Sequence, residues 1–391
     1  MQIKITPTLL KGRITPPSSK SISHRALICS ILAKCDEPKN LLDSDDIWAT
    51  RNAFTATENI DCNESGSTLR FLIPVFAAMG KTVTFHGRGE LPNRTIEPYI
   101  DELPKHGITF HTTEMPYKIS GQLQAGEYLI SGSLSSQFIT GLLLALPLLD
   151  GDSEIILTSP LQSKPYVDLT IDVMKQFGVG VQETPQGYSV KGNQSYQPCD
   201  FSVETDMSQA AFFAVANKLG ADIEIAGLNP NSLQGDKKVF DIVKSPPPYN
   251  IDAGDIPDLV PILTVLCALT DGEHRIYNCS RLRIKECDRL AAISTELNKL
   301  GACVKINESD ELIITGVEQL SGTNLPLKAG IQTQVLCSTW NDHRIAMALT
   351  IAAMKCMDFL ILENAECVKK SYVNFYDDIR KLGGIIDVVD V

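Results

Sequence analysis

Pro17-Ser18-Ser19-Lys20-Ser21-Ile22-Ser23-His24-Arg25 runs directly into an apolar segment that reaches Ala33. The stretch sets a lysine, several hydroxyls and an arginine around the first turn of a helix. A helix N-terminus carries unsatisfied N–H groups and a partial positive charge, so phosphates and carboxylates bind there. A nearby Lys and Arg strengthen such a site. An N-cap serine with solvated charges is the plain alternative. The arrangement recurs along the chain, and the recurrence decides the fold.

Two kinds of helical segment alternate. The first is apolar nearly all round and therefore buried: Ser21–Ala33, Thr68–Met79, Gln137–Leu149, Ser208–Leu219, Pro257–Leu269 and His343–Met354. The second is amphipathic and stops at a glycine, as in Tyr99–His106 before Gly107, Leu169–Phe177 before Gly178, Ala291–Leu300 before Gly301 and Phe375–Leu382 before Gly383. Glycine accepts the left-handed conformation that ends a helix. After three of these glycines comes an alternating run that reads as strand: Ile108-Thr109-Phe110, Val179-Gly180-Val181 and Cys303-Val304-Lys305-Ile306. The order strand–helix–strand–helix–strand–strand, repeated about six times at a period near 65 residues, predicts two globular domains of three units each. Lys244-Ser245-Pro246-Pro247-Pro248-Tyr249 reads as a rigid loop.

Each buried helix opens on polar residues: Lys20-Ser21 with Arg25, Glu64-Ser65-Gly66-Ser67 with Arg70, Ser135-Ser136-Gln137, Asp206-Met207-Ser208, Asp255-Ile256-Pro257-Asp258, and Asn341-Asp342-His343-Arg344. Ordinary capping accounts for Asp206 and Ser67. It does not account for Lys20, Arg25, Arg70 or Arg344, because cations there oppose the helix dipole. A bound anion between them would offset that cost.

A formal charge of −12 argues against a nucleic-acid partner, yet leaves room for a locally positive cleft. No stretch of eighteen or more apolar residues is present, which argues against a membrane span, and the first residues lack the apolar core of a signal peptide. Eleven cysteines with no C-x-x-C pair and no zinc spacing point to a reduced, cytoplasmic protein without a metal. No Walker A loop, G-x-G-x-x-G or G-x-S-x-G occurs, so neither a nucleotide cofactor nor a serine-hydrolase elbow is supported.

Three further constellations carry charge. Arg281-Leu282-Arg283-Ile284-Lys285-Glu286-Cys287-Asp288-Arg289 precedes an amphipathic helix, and Lys285, Glu286 and Arg289 are spaced to share its first turn. A glutamate beside cations suits general acid/base work; a solvated turn with i,i+3 pairs is the plain alternative. Gln162-Ser163-Lys164-Pro165-Tyr166 offers hydroxyl, ammonium and phenol at a strand–helix junction, and Lys369-Lys370-Ser371-Tyr372 again precedes a helix. Asn93-Arg94-Thr95-Ile96-Glu97 reads as a loop whose arginine would by itself be taken as solvated.

These motifs together resemble the 5-enolpyruvylshikimate-3-phosphate synthase family nearly end to end. The resemblance rests on Ser19-Lys20-Ser21-Ile22-Ser23 with Arg25, Ser65-Gly66-Ser67 with Arg70, Arg94-Thr95-Ile96, Ser135-Ser136-Gln137-Phe138, Ser163-Lys164-Pro165-Tyr166, Gln234-Gly235-Asp236, Ile256-Pro257-Asp258, Lys285-Glu286-Cys287-Asp288-Arg289-Leu290 and Asp342-His343-Arg344-Ile345-Ala346-Met347, in that order. It implies a mixed α/β (α+β) fold, a two-domain inside-out α/β barrel with the active site in the interdomain cleft. One domain would hold residues 1–16 and 204–391, the other 17–203.

The implied reaction moves the enolpyruvyl group of phosphoenolpyruvate to the 5-hydroxyl of shikimate 3-phosphate through a tetrahedral intermediate, without a cofactor. Matching positions imply Lys20, Asp258 and Glu286 as catalytic groups: Asp258 for the hydroxyl proton, Glu286 for the methylene proton, Lys20 assisting. They imply Lys20, Arg94, Gln137, Arg289, Arg344 and Lys370 for phosphoenolpyruvate. For shikimate 3-phosphate they imply Lys20, Ser21, Arg25, Ser135, Ser136, Gln137, Ser163, Tyr166, Asp258 and Lys285. Glyphosate, a family inhibitor, would occupy the phosphoenolpyruvate region, and the family's usual state is a monomer. The chain departs from the family at Glu64-Ser65-Gly66-Ser67 (commonly Asn-Ala-Gly-Thr), at Arg281 (often Asn), at His24 (often Asn) and in a shortened 240–252 connection. Two rival readings remain: the sister enolpyruvyl transferase acting on UDP-N-acetylglucosamine, and a non-catalytic anion-binding relative.

Overall fold

A helix that is apolar all round has no face to offer water. The six segments of that kind lie in the interior of the computed structural model, which describes residues 1–321, 324–325, 333–334 and 336–389. They run Lys20–Leu32, Gly66–Ala78, Ser136–Ala145, Met207–Lys218, Val260–Ala268 and His343–Ala352. Every residue of the last two is buried, as is every residue of Gly66–Ala78 except Ser67. Two end before the expected point. Ser136–Ala145 and His343–Ala352 tighten into the 3₁₀ turns Leu146–Leu148 and Ala353–Lys355, a common way to finish a helix.

The amphipathic helices are Glu97–Glu102 with its 3₁₀ continuation Leu103–His106, then Lys164–Gln176, Arg289–Lys299 and Phe375–Lys381. Gly107, Gly178, Gly301 and Gly383 end them with φ of 87°, 79°, 90° and 92°, the left-handed region where a side chain is costly. The strand expected from Val179 begins only at Val181. The Gly180 N–H is taken instead by Gln194 Oε1 at 2.8 Å.

Four sheets share one plan. In the first, Asn59–Asp61 lies parallel to Val83–His86, which is antiparallel to Tyr117–Gly121, which is antiparallel to Ile108–Phe110. The second uses Glu127–Ile130, Ser153–Leu157, Gly187–Val190 and Val181–Thr184 in the same order. The third uses Asn250–Asp252, Glu273–Tyr277, Leu312–Thr315 and Cys303–Ile306. The fourth uses Leu336–Ser338 and Leu360–Glu363, then the N-terminal strand Gln2–Thr6, then Ile385–Val389. Thus the first strand of the chain completes its last unit.

Of the six or so expected units, four are complete among the described residues and two are reduced. One keeps only the parallel pair Lys11–Ile14 and Asp222–Ile225. It stops after the short helix Val239–Ile242, as the shortened 240–252 connection requires. The other keeps a single bridge between Lys39 and Ser202.

Contacts divide the chain into Met1–Pro17 with Thr205–Val391, and Ser18–Glu204. Each unit has its own apolar core. Residues 390–391 of the expected first domain lie outside the described residues. No described helix is long and apolar enough to cross a membrane.

Local chemistry fixes how the helices of Ser18–Glu204 pack. Pro74 sits inside the helix Gly66–Ala78 and cannot donate to the Arg70 carbonyl one turn back. The Tyr99 hydroxyl takes over that role at 2.9 Å. The close approach needs Gly141 on the facing helix: a Cβ there would lie 2.3 Å from both the Arg70 carbonyl oxygen and the Tyr99 hydroxyl. Gly141→Ala therefore costs about 1–3 kcal/mol of overpacking. Urea unfolding of the variant is expected to show a lowered midpoint, and an unchanged midpoint would show that the two helices can separate without penalty.

Candidate functional site

In the unit made of Met1–Pro17 and Thr205–Val391, two helix starts bring two arginines to one carboxylate. Asp288 caps Arg289–Lys299, its Oδ1 accepting from Ala291 N at 3.0 Å. Asp342 caps His343–Ala352, its Oδ1 accepting from Arg344 N at 2.7 Å. Arg289 is only 1% exposed. Its Nε donates to Asp342 Oδ2 at 2.7 Å, one terminal nitrogen to Asp258 Oδ1 at 2.8 Å, and the other to Glu286 Oε2 at 2.7 Å. Arg344 donates to the second oxygen of Asp258 at 3.1 Å. Lys370 Nζ donates to the Asn341 carbonyl at 2.6 Å.

Charge is balanced locally, which is the condition for burying it. Burial opposes the Asp258 carboxylate, but Arg344, Arg289 and Lys285 together outweigh burial and hold it well below the usual carboxylate range. Lys285 is pushed down to about 8 by burial, with Asp258 opposing and Arg281 and Arg289 adding. Asp236, whose Oδ2 accepts the Ser208 hydroxyl, is pushed up to about 7 by burial and then by the Asp258 charge.

In the unit Ser18–Glu204, Ser19 caps Lys20–Leu32. Lys20 Nζ pairs with Asp46 Oδ2 at 3.0 Å. Arg25 is turned inward: it donates to Thr170 Oγ1, the Ser21 carbonyl, Thr140 Oγ1 and the Tyr166 carbonyl at 2.7, 2.7, 3.2 and 3.0 Å. Four of five guanidinium donors are thus engaged inside the unit. Ser135 caps Ser136–Ala145, and Ser136 is buried there. Gln137 accepts from Arg70 at 2.7 Å and donates to Ser67 Oγ at 3.0 Å. Arg94 is buried against Gly66, where a Cβ would stand 2.7 Å from its Nη1. Ser163 precedes Lys164–Gln176 with φ of 57°, in the left-handed region, and Tyr166 lies in that helix's first turn.

Three helices in this unit, Lys20–Leu32, Asp45–Ala53 and Gly66–Ala78, are tied by a buried polar relay. His24 Nδ1 meets Thr50 Oγ1 at 2.8 Å, Thr50 meets Thr68 at 2.7 Å, and Thr68 Oγ1 donates to Ser65 Oγ at 2.8 Å. Burial, then Lys20 and Arg25, hold the His24 imidazole well below its ordinary value, so it is neutral.

Several expectations change. The helix-start cations already have internal partners: Lys20 has Asp46, Arg70 has Gln137 and the Thr95 carbonyl, and Arg344 has Asp258. Their cost against the helix dipole is offset without a ligand. Lys285 and Glu286 precede the helix rather than sharing its first turn, because Asp288 takes the cap. The i,i+3 pair of Glu286 with Arg289 forms nonetheless. Arg94 is not on an open loop but buried after a 3₁₀ turn. Arg281 is also buried and donates to the Gly254 carbonyl at 2.5 Å.

Sequence reasoning assigned no role to Asp46, Asp236 or Asp342. Asp342 was readable as a cap, but not as the partner of an arginine 53 residues away. Asp46 lies in the first turn of Asp45–Ala53, a helix outside the segments singled out in the sequence, and Asp236 appeared only inside a quoted motif.

The family model described as EPSP synthase (3-phosphoshikimate 1-carboxyvinyltransferase) matches residues 5–58 and 50–379. Proteins named 3-phosphoshikimate 1-carboxyvinyltransferase from Clostridium novyi and Clostridium kluyveri are each 42% identical, over 98% of this chain and 98% of theirs. The chain belongs to the EPSP synthase family. It is a transferase of mixed α/β fold. A solved EPSP synthase from Acinetobacter baumannii superposes with a TM-score of 0.78 over 100% of both chains at 21% identity, which speaks for the fold.

The buried carboxylates of this EPSP synthase family member predict a pH dependence. Asp236 holds its proton more tightly in the folded state, up to about 7 against 3.8 unfolded. Its stabilising contribution is complete below the unfolded value and is lost as pH rises through about 7. Melting temperatures of wild type and Asp236→Asn, compared from about pH 4 to about pH 8, are expected to converge at the acid end. Toward alkali the wild type falls behind, by on the order of 4 kcal/mol at most. A difference that stays constant across the range would mean that Asp236 ionises near its ordinary value.

Proposed function

We propose that this chain transfers the enolpyruvyl group of phosphoenolpyruvate to the 5-hydroxyl of shikimate 3-phosphate and releases phosphate. The observation that carries the reading is the Asp258 carboxylate held between Arg289 and Arg344, with Glu286 on the same Arg289 guanidinium. Family membership supports it.

The chemistry needs cations for two phosphates and a carboxylate, a base and an acid. Phosphoenolpyruvate is assigned to Lys20, Arg94, Gln137, Arg289, Arg344 and Lys370. Shikimate 3-phosphate is assigned to Lys20, Ser21, Arg25, Ser135, Ser136, Gln137, Ser163, Tyr166, Asp258 and Lys285. In the addition step the acceptor oxygen bonds to the central carbon of the enol phosphate. Asp258 takes the hydroxyl proton while Glu286 protonates the methylene carbon, with Lys20 assisting. In the elimination step the carbon–phosphate oxygen bond breaks and a methyl proton returns to the enzyme.

The resting geometry supports a route by which Asp258 would act as the base. Arg344 and Arg289 hold its carboxyl low, against burial. Substrate anions that draw those guanidiniums away leave burial uncompensated, and the carboxylate's affinity for a proton rises. The inward bonds of Arg25 to the Ser21 and Tyr166 carbonyls support its placement beside those two residues. The eleven cysteines, seven of them buried and none bridged, support a reducing compartment such as the cytoplasm. By resemblance we read the enzyme as a monomer, and glyphosate as a competitor at the phosphoenolpyruvate residues.

Phosphate release from phosphoenolpyruvate tests the reading. Wild type should release phosphate with shikimate 3-phosphate and not with UDP-N-acetylglucosamine. Glu286→Gln should be slower by about 10²–10⁴-fold, the usual contribution of a proton-transfer group. Release with the sugar nucleotide alone would move the chain to the sister transferase. Binding of both substrates without release would make it the non-catalytic relative. Full activity in Glu286→Gln would move the methylene proton to another group.

A further inference from the structure

Trp340 stands two residues before Asp342, in the turn joining the strand Leu336–Ser338 to the helix His343–Ala352. Trp340 and Asn341 both have left-handed backbones, with φ of 51° and 55°. That region disfavours any side chain, and more so a bulky one. Two such residues in succession persist only where their surroundings over-determine them, and such strain gathers at functional sites.

The surroundings are explicit. Ser338 Oγ accepts from Trp340 N at 3.1 Å and Thr339 Oγ1 accepts from Asn341 N at 3.2 Å. Thr339 Oγ1 in turn donates to the Asn364 carbonyl at 3.1 Å. The remaining hold comes from another helix. Glu296, on Arg289–Lys299, is 1% exposed. Its Oε1 accepts the indole N–H of Trp340 at 2.8 Å and its Oε2 accepts Ser338 N–H at 3.1 Å. Lys299 Nζ neutralises the same carboxylate at 3.0 and 2.8 Å. Two consequences follow for the charged cluster. The Asn341 carbonyl meets Lys370 Nζ at 2.6 Å, and the Asp342 carboxylate meets Arg289 at 2.7 Å.

We propose that Glu296 and Trp340 form a clamp that imposes the left-handed turn and thereby positions Lys370 and Asp342 for donor binding. Both are positioning residues. The inference rests on the reading of Lys370 as a phosphoenolpyruvate ligand. In the plainer view Glu296 only neutralises Lys299 and caps a strand, which would alter stability alone.

Trp340→Phe keeps the ring and removes only the indole donor. It is expected to raise KM for phosphoenolpyruvate about five- to tenfold, the scale of one typical hydrogen bond's net contribution, with KM for shikimate 3-phosphate nearly unchanged. In a Lys370→Ala background the same change should add little, because coupled residues are not additive. Glu296→Gln, which keeps an oxygen acceptor for the indole, should retain more affinity than Glu296→Ala. Equal effects of Trp340→Phe in both backgrounds, or an unchanged KM for phosphoenolpyruvate in a folded Trp340→Phe protein, would overturn the clamp. The same cycle read as calorimetric Kd for phosphoenolpyruvate separates the two readings. Wild type that binds phosphoenolpyruvate but releases no phosphate overturns the reaction while the Kd cycle still decides on the clamp; wild type that does not bind it overturns both.

Discussion

Everything in the charged cluster turns on one guanidinium. Arg289 is buried to 1% exposure and touches Asp258, Glu286 and Asp342 at once. A buried charge is tolerated only when paired and hydrogen-bonded. Arg289 answers this with three carboxylates, and Asp258 answers it with two arginines. The geometry of each is thus a condition of the others. Caps set that geometry locally: Asp288 fixes where Arg289 leaves its helix, and Asp342 fixes where Arg344 leaves its own. The same Asp342 then reaches sideways to Arg289. One residue both starts a helix and orders the neighbouring charge.

The fold supplies such helix starts repeatedly. In each complete unit, the helix between the two parallel strands is the one buried on all sides. Its N-terminus follows directly from the first strand, as Trp340 and Asn341 show between Leu336–Ser338 and His343–Ala352. A sheet with open edges leaves its interior face to be covered, and small apolar helices do this closely. Gly141 against the Arg70 carbonyl shows how closely. With cores built in this way, the polar ends of the helices are where chemistry can be placed without disturbing packing.

Much of this was legible in the residues. All-round apolarity marked the six core helices, and glycine punctuation marked four amphipathic ones to within a few residues. Asp258 and Arg344 stood out at the openings of apolar helices, and Lys285, Glu286 and Arg289 before an amphipathic one; it was the family resemblance that joined them into one set. What could not be read was long-range pairing. Nothing local to Asp46 announces Lys20, and nothing near Thr170 announces Arg25. Propensity and period describe a segment's own turn and face. They carry no information about which distant segment supplies the counter-charge. Of the two truncated units, one showed through the resemblance as the shortened 240–252 connection; the other was hidden, because a missing strand leaves no pattern of its own.

Arg25 shows how the two kinds of information correct each other. Its place five residues after Lys20 suggested a hand held out to a phosphate. The structure turns it inward to Thr170, Thr140 and the carbonyls of Ser21 and Tyr166. Burial lowers its pKa to about 10, which still leaves it fully charged at neutral pH. A permanent charge spent on two backbone carbonyls is an expensive way to tie helix Lys20–Leu32 to helix Lys164–Gln176, unless the position of those carbonyls matters. The residues it fixes, Ser21 and Tyr166, carry their own hydroxyl groups at the starts of those helices. The physical role that fits these bonds is orientation: one buried cation aligns the two helix starts.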